Sequence, residues 1–377
     1  MIMWIGPFFN GKMAEEGTAK GYTLPGQQPS RNNFPLADFT NPAAKAYWQD
    51  GVAKLLKIGV AGFKMDRSEE GIPESGPIKV FDGRSIRENR NAYPVMYLKA
   101  AYDVARKYRP HDDFVLMPRA AYTGSAPYGV FWGGDIGGTQ EGLRAEIIAV
   151  QRAAVMGYPN WGSDTCGYNQ QLMEQETCGR WLAFSAFTPI MEVGPTKNVG
   201  FWDLPRQPSY DAELIAIWRL YARLHERLAD YSLKCAQEAH ATGMPIVRPL
   251  FLVDPKAAQS WTNWWTYQYG PDLLVSPIWE KGKRTQDVYV PTGSEWRDAW
   301  NPEKTYPGSQ SITVNAGLHQ MPLFVRVGSN LSIGDLNQEW KDSLEIAQKH
   351  PDLKTLDAEV KAWFEKYQAQ SAGSGAN

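Results

Sequence analysis

Short apolar runs that end in polar or glycine-rich exits recur along this chain, and they constrain its fold more than any other feature. They are MIMWIG (1–6), IGVAGFKMD (58–66), FVLMPR (114–119), GVFWGGD (129–135), GYPNWGSD (157–164) and MPIVRPLFLV (244–253). Stretches with apolar residues at helical spacing lie between many of them: NPAAKAYWQDGVAKLLKIG, AYPVMYLKAAYDVARKY, LRAEIIAVQRAAVMG and AELIAIWRLYARLHERLADY. The first opens on Asn-Pro, a good helix entry. Strands alternating with helices predict a parallel sheet, and this many repeats favour a (β/α) barrel of TIM type over an open sheet.

Six candidate strands precede residue 255, against the eight of a complete barrel, so the first two are expected to be missing from this chain. After about residue 258 the runs become short and closely spaced: LLVSPIW, QDVYVP, EWRDAW, QSITV and PLFVRVG. They predict a small antiparallel β-sandwich domain. The expected division is a barrel region over 1–257, a β-domain over 258–330, and a charged helical tail over 331–377 with a disordered end.

Composition excludes several functions. Thirty-nine Lys and Arg nearly balance 41 Asp and Glu, and no basic run suits nucleic acid. No segment approaches the length of a membrane span. The start shows no leader pattern, so the expected location is cytoplasmic. Cys166, Cys178 and Cys235 form no CxxC pair, which argues against a disulfide framework or a zinc site and for a reducing compartment. No HExxH, GxSxG or phosphate-loop ending occurs.

In a (β/α) barrel, side chains at the C-terminal ends of strands face the active site. Three of the candidate strands end in Asp, at Asp66, Asp135 and Asp164, and a fourth ends at Arg119. Asp66 and Asp135 are 69 residues apart, somewhat over two barrel units of about 31 residues each. Non-adjacent strands would let them face each other across the barrel mouth. Glycoside hydrolysis needs two such carboxylates, roughly 5–5.5 Å apart in a retaining enzyme. Lys64 and Arg119 are candidates to keep the nucleophile ionised, and Asp135, beside Trp132, to be the less solvated acid. The competing reading is structural: Asp at a strand exit also serves as a helix cap or turn residue.

The set resembles glycoside hydrolase family 31, the α-glucosidase and α-xylosidase family. GFKMDRSEEGIP (62–73) resembles its nucleophile segment, and PRAAYTGSAPYGVFWGGD (118–135) the segment ending in its general acid/base. GYPNWGSDTCGY, RWLAFSAFTP, GMPIVRPLFLVDP and YGPDLLVSPI are similar to later family segments, in the family's order. The resemblance implies Asp66 as nucleophile and Asp135 as acid/base, in a retaining mechanism without metal or organic cofactor. It also implies Lys64, Arg119, Trp132, Trp161 and Asp164 around the non-reducing sugar, with Glu69 as structural support. Gly194 falls at or near a sugar-binding His of the family, with Glu192 close by as a substitute contact, and Arg67 departs from the usual small or aromatic residue.

The implied function is a retaining exo-acting α-glycoside hydrolase that releases α-glucose. An α-xylosidase, an α-galactosidase or an inactive carbohydrate-binding fragment is the alternative. A barrel short of two strands would expose sheet edges, so a homo-oligomer or a complementing N-terminal part is an expected partner, beside the oligosaccharide or α-glycoside substrate.

Overall fold

The computed structural model describes residues 1–26, 34–73, 76–168, 174–193 and 211–349. Gly194 and the tail beyond residue 349 lie outside them. The chain forms two compact units, Met1–Gly134 and Asp135–Asn377.

The first unit is built on three parallel strands, β1 (Ile2–Ile5), β2 (Gly62–Met65) and β3 (Val115–Pro118), with β2 central. Trp4 is the register partner of Lys64, and Met65 of Pro118. The short strand β4 (Phe131–Trp132) follows, and the Val130 N–H just before it donates to Leu116 O at 2.9 Å. Helix α1 (Lys12–Ala19) precedes α2 (Pro42–Lys57), which starts where Asn41 caps Ala43 and Ala44 and Pro42 pre-sets the first turn. Helix α3 (Ile86–Tyr108) begins before its apolar pattern does, because Ser85 and Glu88 form a reciprocal capping box. The core between helices and sheet is aromatic. Phe39, Trp48, Tyr93 and Tyr97 meet at 5.4–5.7 Å between ring centroids. The buried hydroxyls of Tyr93 and Tyr97 donate to Ala37 O and Ile5 O, so their burial strands no donor.

The second unit continues the alternation through α4 (Gln140–Val155), β5 (Trp161–Asp164), α5 (Gln175–Ser185) and β6 (Ile190–Glu192), with β5 and β6 parallel. Helices α6 (Ala212–Arg227) and α7 (Ala229–Thr242) follow. Next come β7 (Val247–Pro249), α8 (Leu250–Val253), α9 (Ala258–Thr262), β8 (Tyr267–Tyr269) and β9 (Leu273–Val275). The closing elements are β10 (Thr285–Val290), β11 (Glu295–Asp298), β12 (Thr305–Pro307), β13 (Gln310–Asn315), β14 (Leu323–Arg326) and α10 (Leu336–Lys349). An antiparallel sheet runs in the order β12-β11-β14-β9-β8-β7, beside the hairpin β10–β13. Leu274, Val288, Val290, Trp296 and Phe324 are buried together in the core of this β-domain.

Parallel strands alternating with helices, then an antiparallel domain, are the barrel-plus-β-domain architecture the sequence predicts. Two elements differ. The run MPIVRPLFLV is not a parallel barrel strand: β7 pairs antiparallel with β8, and the run then turns helical at Leu250. Strand β6 carries no apolar run long enough to announce itself, and its register is set by pairing with β5. A third difference is covalent: Cys166 and Cys178 form a disulfide, while Cys235 is free and buried. Spacing alone does not reveal that pair, because the tertiary fold brings together two positions 12 residues apart in the chain. Among the described residues no helix is long and apolar enough to cross a membrane.

Candidate active site

In the first unit the exit of β2 gathers charge around one buried carboxylate. Asp66 is 6 % exposed, and its N–H continues the β1–β2 ladder by donating to Ile5 O at 3.0 Å. The side chain is held on both oxygens. Trp4 Nε1 donates to Oδ2 at 3.0 Å, and Arg119 Nη1 lies 2.7 Å from Oδ1, an ion pair off the line of a hydrogen bond. Arg119 also reaches Glu69 Oε1 at 2.5 Å and Glu70 Oε1 at 2.9 Å. Burial works against its charge, but Glu69 and Asp66 outweigh that and hold the guanidinium above the ordinary arginine range.

Arg67 adopts the left-handed backbone at φ 61°, which points it into this cluster. Its Nη1 donates to Glu70 at 2.9 Å and its Nε lies 3.7 Å from Asp66. Lys64, expected beside the carboxylate, places its ammonium 4.0 Å from the centroid of the Trp132 ring, and Arg119 approaches the same ring at 5.9 Å. Trp132 is buried, and its Nε1 has no hydrogen-bond partner among the described residues. Asp66, Lys64, Arg119, Trp132 and Glu69 are therefore brought together at one end of this sheet. Sequence reasoning missed Trp4 and Glu70. The apolar run MIMWIG was the signal available for Trp4, and nothing local identified its partner.

In the second unit, Asp164 ends β5 and is 1 % exposed. Its register partner on β6 is Glu192, whose carbonyl accepts from Thr165 N–H at 2.8 Å. Trp161 opens the same strand, and strand alternation sets it on the face opposite Asp164. It is the expected sugar contact that the fold keeps apart from the strand exit. Asp135 is exposed rather than poorly solvated, contrary to expectation. The flanking glycines supply no side chains to cover it. The loop after it is fixed: Tyr168 N–H donates to Ile136 O at 2.8 Å, and Thr139 caps α4 through Gly142 N–H at 3.0 Å.

One buried acid escaped the sequence reading altogether. Glu146 sits in α4 at 2 % exposure, and burial first, then Asp164, push its carboxyl up to about 8. His225 is structural, its Nδ1 lying 3.1 Å from Ala186 O, and burial pushes its pKa down. Among the described residues no group of three or more His, Cys, Asp or Glu is placed to hold a metal ion.

Parallel strands with carboxylates at their C-terminal exits, followed by an antiparallel β-domain, are the arrangement of a (β/α)-barrel enzyme with an appended β-domain. Comparison with known families makes the class specific. Residues 1–234 match the glycosyl hydrolases family 31 TIM-barrel domain, and 243–331 match the glycosyl hydrolase family 31 C-terminal domain. The chain belongs to glycosyl hydrolase family 31.

An isomaltosyltransferase of Sporosarcina globispora is 29 % identical over 333 residues, covering 86 % of this chain and 30 % of that protein. A 1,3-alpha-isomaltosidase of Kribbella flavida is 30 % identical over 305 residues, covering 78 % of this chain and 41 % of its own length. Among solved structures, a cycloalternan-degrading enzyme from Trueperella pyogenes in complex with a covalent intermediate matches with TM-score 0.77 and 26 % identity, over 87 % of this chain and 48 % of that one. This chain thus spans less than half the length of these three proteins.

Proposed function

We propose that this protein is a retaining, exo-acting α-glycoside hydrolase that releases a non-reducing-end sugar, and we assign that sugar as α-glucose. The observation that carries the reading is Asp66, buried at the exit of β2 with Arg119 at 2.7 Å on one oxygen and Trp4 at 3.0 Å on the other. A carboxylate held on both sides by a cation and a donor is fixed in orientation, as a nucleophile requires. Asp66 attacks the anomeric carbon and forms a glycosyl ester, while Asp135 gives its proton to the leaving oxygen. Asp135 then takes a proton from water, which attacks the same carbon and frees Asp66. An exposed Asp135 can exchange its proton with solvent between turnovers. On the family resemblance, we assign Lys64, Arg119, Trp132, Trp161, Asp164 and Glu192 as the sugar-binding residues. The related cycloalternan-degrading enzyme, solved in complex with a covalent intermediate, supports the two-step course.

α-Xylosidase and α-galactosidase specificities compete with α-glucosidase. The domain division near residue 257 and a homo-oligomeric or complemented assembly belong to the same proposal. The cytoplasmic expectation stands against the Cys166–Cys178 disulfide, which a reducing compartment does not maintain.

Nitrophenyl α-glycosides test the function. Asp66→Ala should abolish turnover, and azide should restore it with a β-glycosyl azide product. Asp135→Ala with azide should give the α-glycosyl azide instead. Full activity in Asp66→Ala would sink the assignment, and an inert wild-type protein would favour a binding fragment.

A further inference from the structure

The segment SWTNWW (260–265) carries three tryptophans that the catalytic reading does not use. Trp261, on α9, is 62 % exposed, and its ring stacks on Phe251 of α8 with centroids 5.1 Å apart and planes 20° from parallel. Its Nε1 donates to Pro255 O at 3.0 Å, so the indole is held in place although it stands in solvent. Leaving so large a ring in water forgoes hydrophobic stabilisation, and a fixed aromatic at the surface suits a binding surface.

Trp261 and Phe251 line a groove of about 240 Å³ together with Ile148, Gln151, Arg152 and Val155 of α4. Those four recur at i, i+3, i+4 and i+7, which is one face of the helix. Ser260 and Asn263 line it as well. They are 2 % and 8 % exposed, and Ser260 Oγ and Asn263 Oδ1 have no hydrogen-bond partner among the described residues. Asn263 Nδ2 is engaged with Asp287 O at 3.4 Å, which leaves Oδ1 as the free acceptor. Gln151 Nε2 donates to Trp264 O at 2.6 Å and ties the tryptophan turn to α4. Buried polar atoms without partners are costly, and a groove that holds them beside an aromatic ring suits a ligand bearing hydroxyl groups. No carboxylate is among the lining residues described, so the groove has the means to bind and not to cleave.

The groove is remote from the strand exits. Asp135 leads into α4 at Gln140, and Arg152 lies roughly 18 Å farther along the helix by its rise per residue.

We propose that this groove is a second, non-catalytic sugar site that takes a glucosyl unit of an α-glucan. A pyranose ring carries C–H groups on its faces and hydroxyls around its edge. The C–H face packs on Trp261, while hydroxyls reach Ser260, Asn263 and Arg152. Holding a long chain here raises the local concentration of its ends for the active site. The choice of α-glucan rests on the glycosidase reading.

Native gels containing dextran or soluble starch test the site, with Trp261→Ala, Trp261→Phe and Asp66→Ala run beside the wild type. The wild-type chain and Asp66→Ala should both be retarded by one of the polymers. Trp261→Ala should bind it at least about tenfold more weakly, and Trp261→Phe should keep part of the retardation. Turnover of nitrophenyl α-glucoside by Trp261→Ala should stay within about twofold of wild type. Equal retardation of Trp261→Ala and wild type, or a wild type that is not retarded, overturns the proposal. A different mass for Trp261→Ala by light scattering would make the groove a protein contact and overturn the sugar assignment. A wild type that is retarded yet inert on every glycoside defeats the glycosidase reading and leaves the sugar site standing. An active wild type without retardation does the reverse.

Discussion

Arg119 Nη1 lies 2.7 Å from Oδ1 of Asp66, and the same guanidinium spans Glu69 and Glu70 through Nη2. One cation from the end of β3 thus answers three acids from the segment after β2. Its removal leaves a buried carboxylate without its main counter-charge, a different matter from losing a surface pair.

Arg119→Met should cut kcat/KM by at least about a hundredfold and destabilise the fold by about 3–5 kcal/mol. Arg119→Lys should recover part of the stability and little of the rate, because a point charge cannot bridge three carboxylates as a planar fork does. Steady-state kinetics and denaturant melts check both. An Arg119→Met enzyme of wild-type rate would separate this cluster from catalysis.

Gly62 sets how closely β2 and β3 approach. A Cβ at this position would lie 2.5 Å from Val115 O, its register partner's backbone. Gly62→Ala should therefore cost more than about 2 kcal/mol and lower the midpoint of urea unfolding, since backbone cannot move aside as a side-chain tip can. An unchanged midpoint would show that the strands pair in another register.

The disulfide predicts a thiol count. Unfolded without reductant, the chain should label one cysteine, Cys235, and with reductant all three. Reduction should cost about 3 kcal/mol for a loop of this length. Three labels without reductant would mean the bond is not made, and the reducing compartment read from the sequence would stand.

His319 gives a separate pH signature. It stacks face to face on Trp340 of α10 at 4.1 Å, and burial first, then Arg180, push its pKa down to about 4. The unfolded imidazole binds its proton nearer 6.5, so this contribution to stability is present above about 6.5 and is lost as pH falls toward 4. His319→Gln should flatten the loss of melting temperature across that window. An identical slope in the variant would place the acid sensitivity elsewhere.

Most of the architecture was legible in the sequence because its signals are local. Period-3.6 and short apolar runs marked α2, α3, α4 and α6 and the strands β1 to β5, while Asn41-Pro42 marked a helix entry. The strand-exit positions of Asp66 and Asp164 followed from the same logic. Glu146 did not, since LRAEIIAV reads as a helix whichever way its acid points.

By itself, then, the sequence determined most of the strand and helix segments and placed Asp66 and Asp164 at strand exits, since periodicity and caps act over a few residues. Only the tertiary structure decided the partners: Trp4 on Asp66 from 62 residues away, Arg67 turned inward, Asp135 left in solvent, Glu146 buried beside Asp164, and β7 paired with β8. Partner choice depends on which strands lie side by side and on what each buried charge finds there, and neither is written in the spacing along the chain.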